Sequence, residues 1–368
     1  MAAMADTMAP RGTCASASVA AAPAELPDAQ LARLAVDALI DEAHLTPKPA
    51  LVDRRGSGAH RDLDLAKMTR SALALEPTFV ALARASRNRV PSATLRAELG
   101  QIGRTGEIAM MQATGGSNAH RGAIWILGLL VAGAAIYEST SSASNLIKGG
   151  GTAVNEFSCG DDDMTSANVV SRGAPGSAGT RTGPAAHRAV ATVSRNSASL
   201  AESALRICKL AAQIACFPDR FAAPTDSHGE RVRRKYRVGG ARLEAQEGFP
   251  HVIDVGLPAL ATARANGIAE DAARVDTLLA IMASLDDTCL LHRAGLPGLH
   301  AGKEGARHAL ACGGSSTAEG RMALAALESK LTSLNASPGG AADMLAATLF
   351  IDKLASHDAG GSAASWNI

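Results

Sequence analysis

The sequence predicts an all-α protein: a single large helical domain over residues 27–356, with polar loops converging on a central cleft. Three observations predict it. Hydrophobic residues make up 47% of the 368 positions, enough for a sizeable core, while aromatics are only 3%. Ala and Leu, which favour helix, are abundant, and the β-branched and aromatic residues that strands prefer are sparse. Apolar residues also recur at helical spacing through most of the chain.

The formal charge of +1 argues against a dedicated nucleic-acid binder, which normally carries a basic surface, so anion recognition falls to local clusters. Six cysteines (Cys14, Cys159, Cys208, Cys216, Cys289, Cys312) include no C-x-x-C pair. That pattern fits neither a zinc site nor a disulfide framework, and it reads as reduced thiols in a cytoplasmic protein. No signal peptide is expected in the Ala-rich start. The apolar run Gly122–Tyr137 falls short of the ~20 residues that span a bilayer, so no membrane segment is expected either.

Residues 1–26 read as a disordered tail. The first helix is expected from Pro27 to Ala43, with Leu31, Leu34, Ala35, Ala38 and Leu39 on one face. The following loop, residues 44–65, is broken by Pro47 and Pro49 yet carries Lys48, Asp53, Arg54, Arg55, His60, Arg61, Asp62 and Asp64. A loop so densely charged between two helices reads as a site. Helices are expected over Leu63–Leu75, Pro77–Ala85 and Ser92–Ala113, the last weakened by Gly100, Gly103 and Gly106.

Next comes ATGGSNAHRGAIWILGLLVAGAAIY, residues 113–137: a polar turn feeding a helix that is apolar all round. Helix N-termini carry unpaired amides and favour anions. Gly115 and Gly116 allow close backbone approach, and Asn118, His120 and Arg121 offer donors. The competing reading is a simple turn whose polar side chains reach water.

From Glu138 to Ala185 the composition turns to Ser, Gly, Thr and Asn, a linker or disordered insertion. Its triple Asp161–Asp163 reads as a solvated acidic turn. Helix resumes over His187–Cys216. Arg231, Arg233, Arg234, Lys235 and Arg237 form the strongest basic run, beside His228 and a Gly239–Gly240 pair, and suit a polyanion. Gly248, Pro250, Gly256 and Pro258 punctuate a turn-rich passage. One helix is expected over Ala272–Arg293, which strands Asp286 and Asp287 near a C-terminus where the dipole disfavours them. Helices at Gly302–Ala311 and Ser316–Leu334 lead to Ser337, Pro338, Gly339 and Gly340, a capped turn into a last helix with Asp343 in its first turn. A flexible tail is expected over 357–368.

Five runs in this order, LTPKPALVDRRGSGAHRDLD (45–64), TGGSNAHRGAIW (114–125), SHGERVRRKYRVGGARLEAQEGFP (227–250), DDTCLLHRAG (286–295) and SPGGAADMLA (337–346), resemble the triphosphoribosyl-dephospho-coenzyme A synthase family. The SHG-x-R-V-R-R-x-Y run is more similar to the branch serving malonate decarboxylase. The resemblance implies that ATP and 3′-dephospho-coenzyme A give 2′-(5″-triphosphoribosyl)-3′-dephospho-coenzyme A and adenine. The product would then pass to a separate transferase and the acyl carrier subunit of malonate decarboxylase. Such chemistry needs a base, a proton donor for adenine and cations on the triphosphate.

The resemblance implies catalytic candidates Asp62, Asp64, His60, Asp287 and His292, and magnesium ligands Asp62, Asp64 and Asp343. Substrate or phosphate contacts would come from Lys48, Asp53, Arg54, Thr114, Gly115, Gly116, Asn118, His120, Arg121, His228, Arg234, Arg293, Ser337, Gly339 and Gly340. The chain departs from the family pattern at Cys289, where Asn is usual, at Ala294, where Gly is, and at Ala336, where Leu is. Two rival readings are a metal-dependent nucleotide hydrolase and a non-catalytic homologue that binds coenzyme A or carrier protein.

Overall fold

The computed structural model describes residues 26–149, 201–222 and 228–358, and these are helical with no strand among them. An isolated bridge between Asp53 and Gly56 closes a tight turn in the first long loop. The expected tails, apart from their inner ends, and most of the 138–185 segment, including Asp161–Asp163, lie outside the described residues.

Helix α1 (Asp28–His44) starts behind Pro27, carries Asp28 in its first turn and buries Leu31, Ala35, Ala38 and Leu39. Leu26, assigned to the tail by composition, is instead 4% exposed in the core. Helix α2 (Leu65–Ala74) is capped by Asp64, whose side chain accepts the Lys67 amide. Helix α3 (Glu76–Ser86) leads to α4 (Ala93–Thr114), capped by Ser92. The α4 glycines mark close packing as well as low propensity: a Cβ at Gly106 would lie 2.7 Å from Thr78 Cγ2 on α3.

Helix α5 (Arg121–Gly149) runs well past Tyr137, which corrects the expectation of irregular chain from Glu138. Ser139, Thr140 and Ser141, at the start of the expected linker, belong to the helix. Ser139 Oγ donates to the Ala135 carbonyl at 2.9 Å and Thr140 Oγ1 to that of Ile136 at 3.0 Å. Its segment Arg121–Ser141 is long and apolar enough to cross a bilayer by composition, but 78% of that stretch is buried within the protein. It packs on α3 and α1, and on the last helix.

Helix α6 covers the described residues 201–216. The basic run forms α7 (His228–Tyr236), followed by α8 (Gly240–Gln246). The passage expected to be turn-rich is helical: a π-helical turn (His251–Gly256) continues into α9 (Leu257–Ala265). Its prolines sit where a helix tolerates them, Pro250 before the π-turn and Pro258 in the first turn of α9.

The helix expected over Ala272–Arg293 is two. Helix α10 (Glu270–Ser284) stops at Leu285, whose backbone is extended, and α11 (Thr288–Ala311) begins with Asp287 as its N-cap. The carboxylate that looked misplaced at a C-terminus therefore stands at an N-terminus, where the dipole favours it. Helix α11 also absorbs the separate helix expected at Gly302, bending at Gly295, where φ is 64°. Helices α12 (Ala318–Ser333) and α13 (Gly339–Asp358) complete the chain. Asp343 falls in the second turn of α13, and the helix runs through 357 to Asp358, where a tail was expected.

Helix α13 is central, touching α1, α5, α10, α11 and the π-turn. Ala35, Ala38, Ala346 and Ala347 are all at most 1% exposed. Small side chains let helix axes approach closely, and Leu, Ile and Phe350 fill the remaining volume, each contributing about 1.5–3 kcal/mol by burial.

Candidate active site where three helices begin

The N-termini of α5, α11 and α13 meet at one end of the bundle. Two contacts establish this. Asp343 of α13 lies against the first turn of α5, where a Cβ on Gly122 would fall 2.0 Å from its Oδ2. Asp287 of α11 accepts the Ala341 amide of α13 at 2.9 Å through Oδ2 and the Cys289 and Leu290 amides at 2.7 and 3.2 Å through Oδ1. Burial drives the Asp287 carboxyl pKa up, against those backbone bonds.

The first long loop reaches this end. Lys48, 1% exposed, donates from Nζ to Glu42 Oε1 at 2.5 Å and to the Glu42 carbonyl at 2.6 Å. Asp53 organises the loop, accepting the Lys48 amide at 2.9 Å, the Arg55 amide at 2.7 Å and Arg55 Nε at 2.9 Å. Glu42 and Asp287 both act electrostatically on Asp343. The Asp343 carboxyl is pushed well above its usual value by burial, then by Glu42 and Asp287. It accepts no hydrogen bond from the described residues.

His60, Arg293 and Ser337 form a second cluster. Arg293 Nη2 lies 3.3 Å from His60 Nδ1, and Nη1 donates to the carbonyls of Ala59 at 2.9 Å and Asn335 at 3.2 Å. A guanidinium only donates, so Nδ1 accepts, and the ring proton on Nε2 donates to Ser337 Oγ, 2.9 Å away. Burial and Arg293 depress the His60 pKa to about 4, so the ring is neutral at pH 7. Ser337, which the sequence offered as a helix cap, is committed to His60, and Asp287 closes the start of α13 instead.

The 113–121 loop is tied to the first loop by Ser117 Oγ, which donates to the Asp62 carbonyl at 2.9 Å. Gly115 (φ 66°) and Gly116 (φ 95°) end α4, the Gly116 amide donating to the Met111 carbonyl at 2.8 Å. Thr114 Oγ1 donates to the Ser117 carbonyl at 2.5 Å. Asn118 Oδ1 caps α5 through the Arg121 amide at 3.1 Å. Exposed Arg121 pairs with Glu107 at 3.1 Å. His120 is 3% exposed, with Nδ1 2.7 Å from Ser71 Oγ. Burial, then Lys48, lowers its pKa to about 3.

The structure thus brings together Lys48, Asp53, His60, His120, Asp287, Arg293, Ser337, Gly339, Gly340 and Asp343. A Cβ on Gly340 would sit 3.0 Å from Asp287 Oδ1, and one on Gly339 3.0 Å from Cys289 Sγ. The Cys289 thiol pKa is raised well above normal by burial and by Asp287 and Asp343, so it is no thiolate. Other candidates are peripheral. Asp62 and Asp64 are exposed, and Asp64 is occupied as the α2 cap. Arg54, His292 and Arg234 are exposed, and the side chain of His228 lies outside the described set. Among the described residues no group of three or more His, Cys, Asp or Glu is arranged around a metal.

A small cleft lined by Gly240, Ala241, Glu244, Leu285, Asp286, Asp287, Thr288 and Met344 opens beside Asp287, where α8 meets the start of α11. Two buried residues of the site escaped the sequence reading, Glu42 and Ser71, 4% and 0% exposed. Glu42 carried a signal: it follows Ala35, Ala38 and Leu39 at helical spacing, a carboxylate on an apolar stripe. Ser71 carried none.

Comparison with known proteins shows the family. The profile of the ATP:dephospho-CoA triphosphoribosyl transferase family matches residues 28–362. A Klebsiella pneumoniae protein named 2-(5″-triphosphoribosyl)-3′-dephosphocoenzyme-A synthase is 44% identical over 88% of this chain and 94% of its own. A Pseudomonas paraeruginosa protein with the same name, qualified as probable, is 48% identical over 88% and 90%. An Azotobacter vinelandii protein so named is 46% identical over 92% and 96%. No solved structure matches the chain. With a profile match that includes every helix from α1 to α13, the chain belongs to the ATP:dephospho-CoA triphosphoribosyl transferase family.

Proposed function

We propose that the chain transfers the triphosphoribosyl group of ATP to the 2′-hydroxyl of 3′-dephospho-coenzyme A and releases adenine. The observation that carries this reading is the convergence of family-like runs, far apart in sequence, on the ends of α5, α11 and α13. The hydroxyl oxygen attacks the anomeric carbon of ATP, the bond from that carbon to adenine breaks, and the hydroxyl proton leaves to a base. Adenine departs with the bonding pair and takes up a proton. The transition state resembles an oxocarbenium ion, which nearby carboxylates stabilise.

Asp343 is the best-placed group for that work, a carboxylate with no committed donor. It also fits magnesium, a hard ion held by one or two carboxylates plus substrate phosphates. When bound, the ion supplies charge neutralisation for the triphosphate. Asp62 and Asp64, at the rim, are the alternative ligands. Lys48, pinned by Glu42, supplies a fixed cation, and Arg293 orients His60, which in turn holds the Ser337 hydroxyl as a neutral donor. Thr114, Gly115, Gly116, Asn118 and Arg121 would shape the wall around His120, while the exposed Arg54 and Arg234, together with His228, would meet the phosphates of the second substrate. The product would supply a malonate decarboxylase carrier in the cytoplasm.

Purified protein incubated with ATP, magnesium and 3′-dephospho-coenzyme A should yield adenine and the coupled product in equal amounts by mass spectrometry. Adenine without coupled product would make the chain a hydrolase. Neither product would make it a non-catalytic homologue.

A further inference from the structure

Among the described side chains, the buried polar atoms without a hydrogen-bond partner are His120 Nε2 and single guanidinium nitrogens of Arg96, Arg104 and Arg233. Each of those arginines is anchored to a carboxylate through another nitrogen, Arg96 and Arg104 to Asp219 and Arg233 to Glu230. His120 differs, because a neutral imidazole has only two hydrogen-bonding positions and one of them is unmet. The residue is held from both sides. Its amide donates to Met110 Sδ at 3.1 Å, and its Nδ1 lies 2.7 Å from Ser71 Oγ.

The tautomer follows from the hydroxyl. Ser71 is wholly buried, and its side chain has no other partner among the described residues. Were Nδ1–H to donate, the hydroxyl proton would be left unmet in a dry interior, which is costly. The economical arrangement has Ser71 donating to Nδ1 and the ring proton on Nε2. His120 stands two residues before Gly122, whose Cβ would fall 2.0 Å from Asp343 Oδ2, so it lies at the end of the bundle that carries the proposed site. Lys48, paired there with Glu42, is the charged group that acts on its ring. A cation there disfavours imidazolium and favours a neutral donor.

We infer that Ser71 and His120 form a substrate-orienting pair, in which Ser71 fixes the imidazole and Nε2–H donates to an oxygen of bound ATP. His120 touches the substrate, and Ser71 is a positioning residue that acts through it. The identity of the ligand rests on the transferase reading, whereas the tautomer does not.

The test uses the full chain labelled with ¹⁵N at histidine. The His120 resonances should show a protonated Nε2, and that resonance should move on adding ATP with magnesium. Parallel additions of adenosine and inorganic triphosphate distinguish a ribose from a phosphate oxygen as acceptor. Ser71→Ala should mix the two tautomers and lower kcat about tenfold, with little change in KM for dephospho-coenzyme A. His120→Gln, whose amide can replace the Nε2–H donor, should retain several-fold more turnover than His120→Leu. A protonated Nδ1, or an Nε2 resonance unmoved by ATP, overturns the pair. If the wild type makes no coupled product, the transferase reading fails, and the pair is judged on the resonances alone.

Discussion

Asp287 Oδ2 accepts the Ala341 amide of α13 at 2.9 Å while its Oδ1 holds the Cys289 and Leu290 amides of α11, so one carboxylate closes the starts of two helices. Neither start is exposed to water at that carboxylate, because Asp287 is 2% exposed. Side-chain caps usually serve their own helix, and this one also serves its neighbour. Asp287 thereby sets the distance between the helices that carry Asp343 and Arg293.

Asp287→Ala should accordingly cost about 3 kcal/mol of stability, since it leaves three buried amides without an acceptor. Urea unfolding followed by circular dichroism measures this. Asp287→Asn keeps one acceptor oxygen and should lose about half as much. A loss below about 1 kcal/mol for the alanine variant would remove the double cap from the account of this site.

Asp343 should show the opposite sign. Its folded pKa lies above the unfolded value of 3.8, so the native state holds this proton more tightly. Its contribution is fully present below pH 3.8 and is lost as pH rises through the folded value. At neutral pH without magnesium, Asp343→Asn should therefore raise Tm while cutting turnover at least about a hundredfold. Asp62→Asn removes only an exposed carboxylate and should cost about tenfold in turnover if a rim ligand joins the ion. Equal losses in both variants would move the metal towards the rim.

The two neutral histidines predict the acid limb. The folded pKa values of His60 and His120, about 4 and about 3, lie below the unfolded 6.5. Their stabilisation is present above pH 6.5 and is lost as pH falls towards those values. Each imidazole that gains a proton on unfolding adds about 1.4 kcal/mol per pH unit to the slope. Unfolding free energy measured from pH 7 to pH 5 should fall less steeply in His120→Gln than in the wild type.

Much of this architecture was legible in the sequence because its helices are amphipathic and Ala-rich, and α1 and α4 fall within a residue of their expected bounds. The break between α10 and α11 was not. Leu285 to Asp287 reads as helix by spacing, and only the Ala341 amide, far away in sequence, shows why the chain stops to place a cap. The extension of α5 past Tyr137 was hidden for a local reason: its Ser and Thr hydroxyls bond back to the helix, which composition cannot reveal. In the site, loop position made Lys48, His60 and Asp53 visible, whereas Ser71 sits in an ordinary helical segment and gains meaning only from His120.

The Arg293 fork is expected to govern chemistry more than stability. Its planar guanidinium donates to two carbonyls and faces His60 Nδ1, a geometry a lysine ammonium does not reproduce. Arg293→Lys should lower kcat about tenfold while shifting stability by less than about 1.5 kcal/mol. Unchanged kcat would reduce the His60–Ser337 contact to packing.

The buried Lys48–Glu42 pair allows stability and function to be separated. Lys48→Met leaves Glu42 charged in an interior where it is 4% exposed, and breaking such a pair typically costs about 3–5 kcal/mol. Replacing both partners by apolar residues of similar volume removes the uncompensated charge, so Lys48→Met with Glu42→Leu should recover most of that loss. Turnover should not recover, because the cation that acts on His120 is gone and the Asp343 carboxyl, still raised by burial and Asp287, has lost the contribution of Glu42. Unfolding and adenine release measured on the same three preparations decide it. A stable double variant with wild-type turnover would make the pair purely structural. A stable and inactive one would mean that the pair is retained, despite its desolvation cost, for the charge it places at the helix ends.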